Sequence, residues 1–364
     1  MSVEFIGYIG SHLQSEIIPY SGPAIDVAHI EEAARIHDEG GFDRALVAFG
    51  SSSPESQHIT GYAATVAKRL HFMIAHRPGF TAPTLAARQL ATLDQLSGGR
   101  IAVHIITGGD DAEMRKDGDR LTKDERYART SEYLDIVRQE WTSDAPFDYA
   151  GQYYQVEQAF GGVKPAQKPH LPIYFGGSSD AAIPVAGKHA DIYALWGETQ
   201  DQVRETIARV RAAAARHGRN PRFSLSLRPV IADTEEAAWK RADEIVDQAR
   251  ELRSKAGLAV SGHRPPNAGS QRLLDAAKLG TRLDKRLWTG VAAVTGAQGN
   301  STGLVGTPEQ VAEALLDYYD LGVSTFLIRG FDPLNDAIAY GRDLIPLVRQ
   351  LVAERPNRPV AQAS

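Results

Sequence analysis

The run AARQLATLDQLSGGRIAVHIITGGDD, residues 86–111, holds a helix, a tight turn, a buried strand and a polar loop in succession. Leu85, Leu90, Leu93 and Leu96 fall roughly at helical spacing, and Gly98-Gly99 supplies the left-handed residue that ends such a helix. Ile101–Ile106 is a short β-branched run, as expected of a strand covered on both faces. Thr107-Gly108-Gly109 follows where that strand would emerge. If the unit recurs, the loop ends of its strands are where chemistry belongs.

It does recur. Val3–Tyr8 reads as a first strand running into Gly10-Ser11-His12, and Asp26 as the cap of a helix closed by Gly40-Gly41. Arg44–Phe49 and Leu70–Ala75 are the second and third strands, separated by a helix from Ile59 to Val66. Thr84 is the expected cap of the helix in the opening run. Farther on, Glu125–Trp141 is a long helix and Phe147–Val156 a hairpin around Ala150-Gly151. Pro172–Phe175, Asp191–Trp196, Phe223–Ile231 and Thr325–Ile328 are the fifth to eighth strands. Helices follow them, including Thr199–His217, one from Asp233 or Thr234 to about Leu252, and Pro333–Val352. Eight strand–helix units predict an α/β TIM (β/α)8 barrel. The competitor, a doubly wound open sheet, lacks its GxGxxG after the first strand. The expected organisation is one barrel domain over residues 1–353, with a lid-like insertion at 252–302 that includes His263-Arg264-Pro265-Pro266, and an extended tail at 354–364.

Composition narrows the function. A chain of 364 residues with 43% hydrophobic content buries a large core. A net charge of -5 without a Lys/Arg cluster argues against nucleic-acid binding. The absence of cysteine excludes disulfides, thiolate metal sites and a cysteine nucleophile. No basic-then-apolar leader is visible, and no stretch approaches the roughly 18 apolar residues of a membrane span. A soluble, cytoplasmic protein is the expectation.

Several residues at strand ends have chemistry to offer. Gly176-Gly177-Ser178-Ser179 lies between a strand and a helix, where backbone and hydroxyl donors and the helix dipole suit a phosphate; a plain helix cap is the other reading. Trp196 closes the sixth strand as a stacking ring or a core aromatic, and Tyr127 lies in a first helical turn. His12, His58, His76 and His104 fall at or near strand ends without HxH or HxxE spacing, so no metal site is predicted. The Ser51–Ser53 run lacks a GxSxG context, which argues against a hydrolase nucleophile. Arg228, late in the seventh strand, must be paired or face a ligand. A salt bridge and a forked grip on a sulfonate or carboxylate are equal readings.

Taken together, PTLAARQLATLDQLSGGR (83–100), ITGGD (106–110), KDERYARTSEY (123–133), GQYYQV (151–156), YFGGSSD (174–180), YALWGE (193–198), LWTGVA (287–292) and GLVG (303–306) resemble the bacterial luciferase-like flavin monooxygenases, within them the alkanesulfonate monooxygenase branch. The resemblance implies a TIM barrel with an insertion before its last strand. It implies reduced FMN delivered by a separate NAD(P)H-dependent FMN reductase, O2 as co-substrate, and oxidation of a small organosulfur compound, most simply desulfonation of a sulfonate with sulfite release. It places the flavin on Thr107, Tyr127, Gly177, Ser178 and Ser179, puts Trp196 at the substrate cavity, and suggests a homodimer or homotetramer.

Four positions depart from that branch. Its Arg-x-His pair becomes Ser226-Leu227-Arg228, its cysteine loop Ser53, its lid-region arginine Thr295, and its tyrosine after strand eight Phe331. Arg228, Arg329 and His12 are then the candidates for gripping an anion, and His12 or His76 for proton transfer. Two alternatives stay open: an oxidoreductase of the same fold using FMN or the deazaflavin F420 on a non-sulfonate substrate, and a flavin-binding protein that has lost catalysis.

Overall fold

A computed structural model describes residues 2–258, 265 and 267–355. His263, Arg264 and Pro266 of the expected lid, and the tail beyond residue 355, lie outside the described residues. The fold is a closed barrel of eight parallel strands with surrounding helices, a TIM barrel. Its strands are β1 (Glu4–Tyr8), β2 (Arg44–Val47), β3 (His71–His76), β4 (Ile101–Ile105), β5 (Ile173–Gly176), β6 (Ile192–Trp196), β7 (Arg222–Ile231) and β8 (Val323–Ile328). Each expected strand is present, its ends moved by a residue or two. The chain divides into two compact units, one of Met1–Ala45, Ala194–Arg209 and Arg222–Ser364, the other of Leu46–Tyr193 and Val210–Pro221.

In the second unit β3, β4 and β5 run side by side, with Phe72 opposite Ile101 and Val103 opposite Ile173. These residues are almost fully buried, which explains why the strands read as unbroken apolar runs. The helix of the opening run spans Pro83–Ser97, but its packed stripe is not the leucine one. Pro83, Ala86, Ala87, Leu90, Ala91, Asp94 and Ser97 face inward, whereas Leu85 and Leu96 are 43% and 80% exposed. Small side chains bring this helix close to its neighbours. Buried Asp94 is satisfied by the Ile101 and Gln167 backbone N–H groups and by the Gln167 amide. Thr84 does not cap it. Pro83 already occupies the first turn, so the cap position falls on Ala82, which makes no side-chain bond. Gly98 ends the helix in the left-handed region, as its sequence predicts. The hairpin pairs Phe147–Ala150 with Gln155–Ala159, and the Glu132 carboxylate takes the N–H groups of Gln152, Tyr153 and Tyr154 at its turn.

In the first unit β8 lies parallel to both β1 and β7. The insertion is more regular than its sequence suggests: a helix at Ala268–Leu279 capped by Asn267, a two-residue strand pair at Arg282–Leu283 and Leu287–Trp288, and a helix at Gly290–Thr295. Gly303–Gly306 then forms a further strand along the second half of β7, with Gly303 opposite Arg228. The first half of β7 pairs with β8, as far as Leu227 opposite Ile328. β7 therefore changes partner between Leu227 and Arg228.

The expected helix Pro333–Val352 is interrupted. A π-helical turn at Tyr340–Leu344 separates Pro333–Ala339 from Ile345–Glu354. Two things hold it. The buried Tyr340 hydroxyl donates to the Pro229 carbonyl, and Gly341 meets Gly40 so closely that an added Cβ would lie 2.7 Å from the Gly40 Cα and oxygen. Gly341→Ala is expected to lower stability by about 1–3 kcal/mol through overpacking. Gly61→Ala, in the helix Ser56–Val66 with its nearest neighbour at 3.6 Å, should be neutral or stabilising by up to about 1 kcal/mol. Urea unfolding midpoints of the two variants check the contrast.

Candidate functional site

Two groups of side chains gather at strand ends, one in each unit. In the second unit, the chain turns sharply after β5 at Gly177, whose φ of +136° suits glycine. An added Cβ there would fall 2.7 Å from the Tyr127 hydroxyl and 2.9 Å from the Ala182 Cβ. The Tyr193 hydroxyl donates to the Gly177 carbonyl at 2.6 Å and fixes the turn. The Ser179 carbonyl accepts from Ala182 and Ile183, the first N–H groups of the helix Ala182–His189, so that helix offers its dipole rather than those donors. The Ser179 hydroxyl is buried beside the Tyr127 phenol. Tyr127 is nearly buried; burial pushes its phenol above the ordinary range and a hydrogen bond with Ser179 draws it partly back, so it stays a proton donor. A cradle without a Cβ, a buried hydroxyl beside a protonated phenol and a helix N-terminus fit a phosphate.

Thr107 lies one strand away, nearly buried, its hydroxyl 3.4 Å from that of Thr130. The following loop is held by Arg126, which donates to the carbonyls of Leu121 and Gly108 and to Asp111 at 2.6 Å. Ser178 is half-buried within the turn. His76, at the end of β3, is buried with Nε2 2.7 Å from the Tyr133 hydroxyl. Burial pulls it down to about 4, so it is neutral at physiological pH. Ser53 is exposed, its hydroxyl closing its own turn by accepting from the Gly50 N–H and donating to the Gly50 carbonyl.

In the first unit, Arg228 stands at the point where β7 changes partner. Its side chain is fully buried and matched: it forms an ion pair with Glu16 at 2.6 Å, donates to the Gly330 carbonyl at 2.8 Å, and lies 3.6 Å over the Phe331 ring. Of its two readings, the salt bridge is the one present. Burial would raise the Glu16 carboxyl, but Arg228 and Arg329 outweigh it and hold the group below its ordinary value. Phe331 is fully buried against Trp288, and Thr295 is buried with its hydroxyl on the Val291 carbonyl. Ser226 is half-buried in β7, and Arg329, half-buried just after β8, lies over the Tyr8 ring at 4.4 Å. His12 sits in the loop after β1, edge-on to Tyr20, with Nδ1 3.2 Å from the Ala24 carbonyl.

Trp196 packs on the insertion, against Leu273, Ala292 and Ala297. Two residues on, buried Glu198 receives Arg272 of the insertion helix on both oxygens, at 2.9 and 3.0 Å. The end of β6 is thus a dock for the insertion. Sequence reading missed Glu16, Tyr193 and the Glu198–Arg272 pair. A buried arginine announces that it needs an acid, but spacing does not say which one. Among the described residues no group of three or more histidines and carboxylates is placed to hold a metal ion, and no helix is long and apolar enough to cross a membrane.

The sequence profile of the luciferase-like monooxygenases matches residues 4–325. The fold is similar to that of a riboflavin lyase solved with modified FMN and riboflavin (TM-score 0.81, 19% identity, 97% of this chain and 92% of that one). It is also similar to EDTA monooxygenase from Chelativorans sp. BNC1 (0.76, 20%, 98% and 95%) and to an F420-dependent secondary alcohol dehydrogenase (0.70, 18%, 96% and 99%). Identities this low carry the fold alone.

Glu16→Gln leaves a buried guanidinium uncompensated and should cost about 3 kcal/mol at pH 7. Because the folded carboxyl lies below 4.5, its contribution is complete above that value and fades as pH falls through the folded one. Unfolding free energies of variant and wild type are therefore expected to converge below pH 4.5.

Proposed function

Because the chain belongs to the luciferase-like monooxygenase family, we propose that it is the oxygenase of a two-component system. It takes reduced FMN from an NAD(P)H-dependent FMN reductase and uses O2 to oxidise a small organosulfur compound, a sulfonate that leaves as sulfite. The observation that carries the cofactor half is the turn at Gly177–Ser179, where a glycine cradle that an added Cβ would fill stands beside the buried Ser179 hydroxyl, the protonated Tyr127 phenol and a helix N-terminus. The organosulfur half rests on the motifs from PTLAARQLATLDQLSGGR to GLVG, in their order along the chain.

Bound reduced flavin would supply the electrons for oxygen activation; the residues around it bind, orient and exclude water. Ser179 and Tyr127 would donate to the phosphate, and Gly177 would let it approach the backbone. Arg126 holds the Thr107–Asp111 loop in place through the Gly108 carbonyl and Asp111. His76, neutral and bonded to Tyr133, contributes an uncharged imidazole rather than an acid. The Glu198–Arg272 pair keeps the insertion docked on the end of β6.

Equilibrium binding tests the cofactor assignment. FMN should bind more tightly than riboflavin, and Ser179→Ala should weaken FMN about tenfold while leaving riboflavin unchanged, since a hydrogen bond to a charged group contributes about 1.5–3 kcal/mol. Equal affinity for FMN and riboflavin, or a preference for F420, contradicts it. With FMN, NADH and a flavin reductase, sulfite is expected from at least one member of a sulfonate panel. Its absence from all of them would sink the desulfonation reading.

A further inference from the structure

The strand fork around Arg228 gathers polar groups that its own fold does not satisfy. β8 stops pairing with β7 at Ile328, and Gly303–Gly306 takes over from Arg228 onward. Arg329 leaves the fork on one side, and Asn300-Ser301-Thr302 arrives on the other, the Thr302 carbonyl accepting from the Arg228 N–H at 2.9 Å. The Arg228 charge is matched by Glu16, and its terminal nitrogens donate to the carbonyls of Gly330 and Asn300.

Arg329 is not. Its guanidinium is half-buried over the Tyr8 ring, and its Nε is buried without an acceptor. Among the described residues its side chain makes no ion pair or hydrogen bond. Glu16 lies within electrostatic reach of both arginines but contacts Arg228. Two guanidiniums and one carboxylate leave a surplus of one positive charge. In the segment whose Asn300 carbonyl meets an Arg228 terminal nitrogen at 3.5 Å, both polar side-chain atoms of Asn300 and the hydroxyl of Ser301 are buried without partners among the described residues. Folded proteins rarely leave such groups unpaired, and these collect where β7 and β8 part, at the loop end of the barrel.

We infer that Arg329 is the anion anchor of the substrate site, taking the substrate's oxyanion, a sulfonate or carboxylate, in a forked grip. The inference deepens the reading above and rests on it for the location of the substrate. The planar guanidinium matches two oxygens of such a group, and the Tyr8 ring behind it holds its plane. Arg228 is a positioning residue: buried under Phe331 and neutralised by Glu16, it holds the fork in register and does not touch the ligand.

Calorimetric titration of the full-length protein with methanesulfonate, acetate and neutral dimethyl sulfone tests this. Wild type should bind at least one of the two anions and not the sulfone, and the ratio of the anion affinities tells which oxyanion the site prefers. Arg329→Gln should lower that affinity at least tenfold, and Arg329→Lys should restore part of it. Both should stay folded, with the unfolding midpoint little changed, because among the described residues the side chain makes no hydrogen bond or ion pair and its contact with Tyr8 is half-exposed. Unchanged anion binding in Arg329→Gln, equal binding of the sulfone, or no anion binding by wild type would overturn the inference. FMN affinity is measured on the same samples: intact phosphate-dependent FMN binding with no anion binding removes Arg329 alone, whereas FMN bound no better than riboflavin strikes the flavin reading.

Discussion

A guanidinium with no exposed surface cannot remain charged without a counter-charge, and Arg228 arranges one side of the barrel around that requirement. The Glu16 carboxylate is drawn in from the loop after β1, and the Gly330 carbonyl from the loop after β8. The Phe331 ring covers the guanidinium face. These contacts tie two separate loops to the residue at which β7 exchanges one partner strand for another. Once Arg228 is neutralised, charge left over in the same neighbourhood belongs to Arg329.

The same logic separates support from recognition elsewhere. Arg126 and Arg272 form ion pairs, one with Asp111 and the other with Glu198. Each fixes a loop or helix in place. Among the described residues Arg329 forms none, and the Asn300 side chain is buried without a partner. A folded chain tolerates such groups where a ligand completes them, because each unpaired buried group costs about 1–3 kcal/mol. The division also explains the substitutions at Thr295 and Phe331. Both are absorbed into packing.

Much of this was legible in the amino-acid order. Strands buried on both faces are apolar runs, and glycine, proline and serine mark where they end, so all eight could be placed within a residue or two. The turn after β5 could be read because Gly177 and Ser179 stand between such a strand and a helix. Other features left no such mark. The leucines at 85, 93 and 96 imitate a buried stripe, while the packed one is made of alanines and a satisfied aspartate, Asp94. Glu16 is an ordinary acid in a loop, and only the tertiary fold brings it to Arg228. The π turn depends on the meeting of Gly341 with Gly40, a contact between distant segments.

The central claim is that buried polar groups at the strand ends are ligand seats, with the flavin phosphate at Gly177–Ser179. A crystal structure of the FMN complex tests it most directly. The account predicts a phosphate oxygen within hydrogen-bond distance of the Ser179 hydroxyl, close against the Gly177 backbone. FMN bound with its phosphate elsewhere, and no phosphate oxygen on the Ser179 hydroxyl, would contradict it.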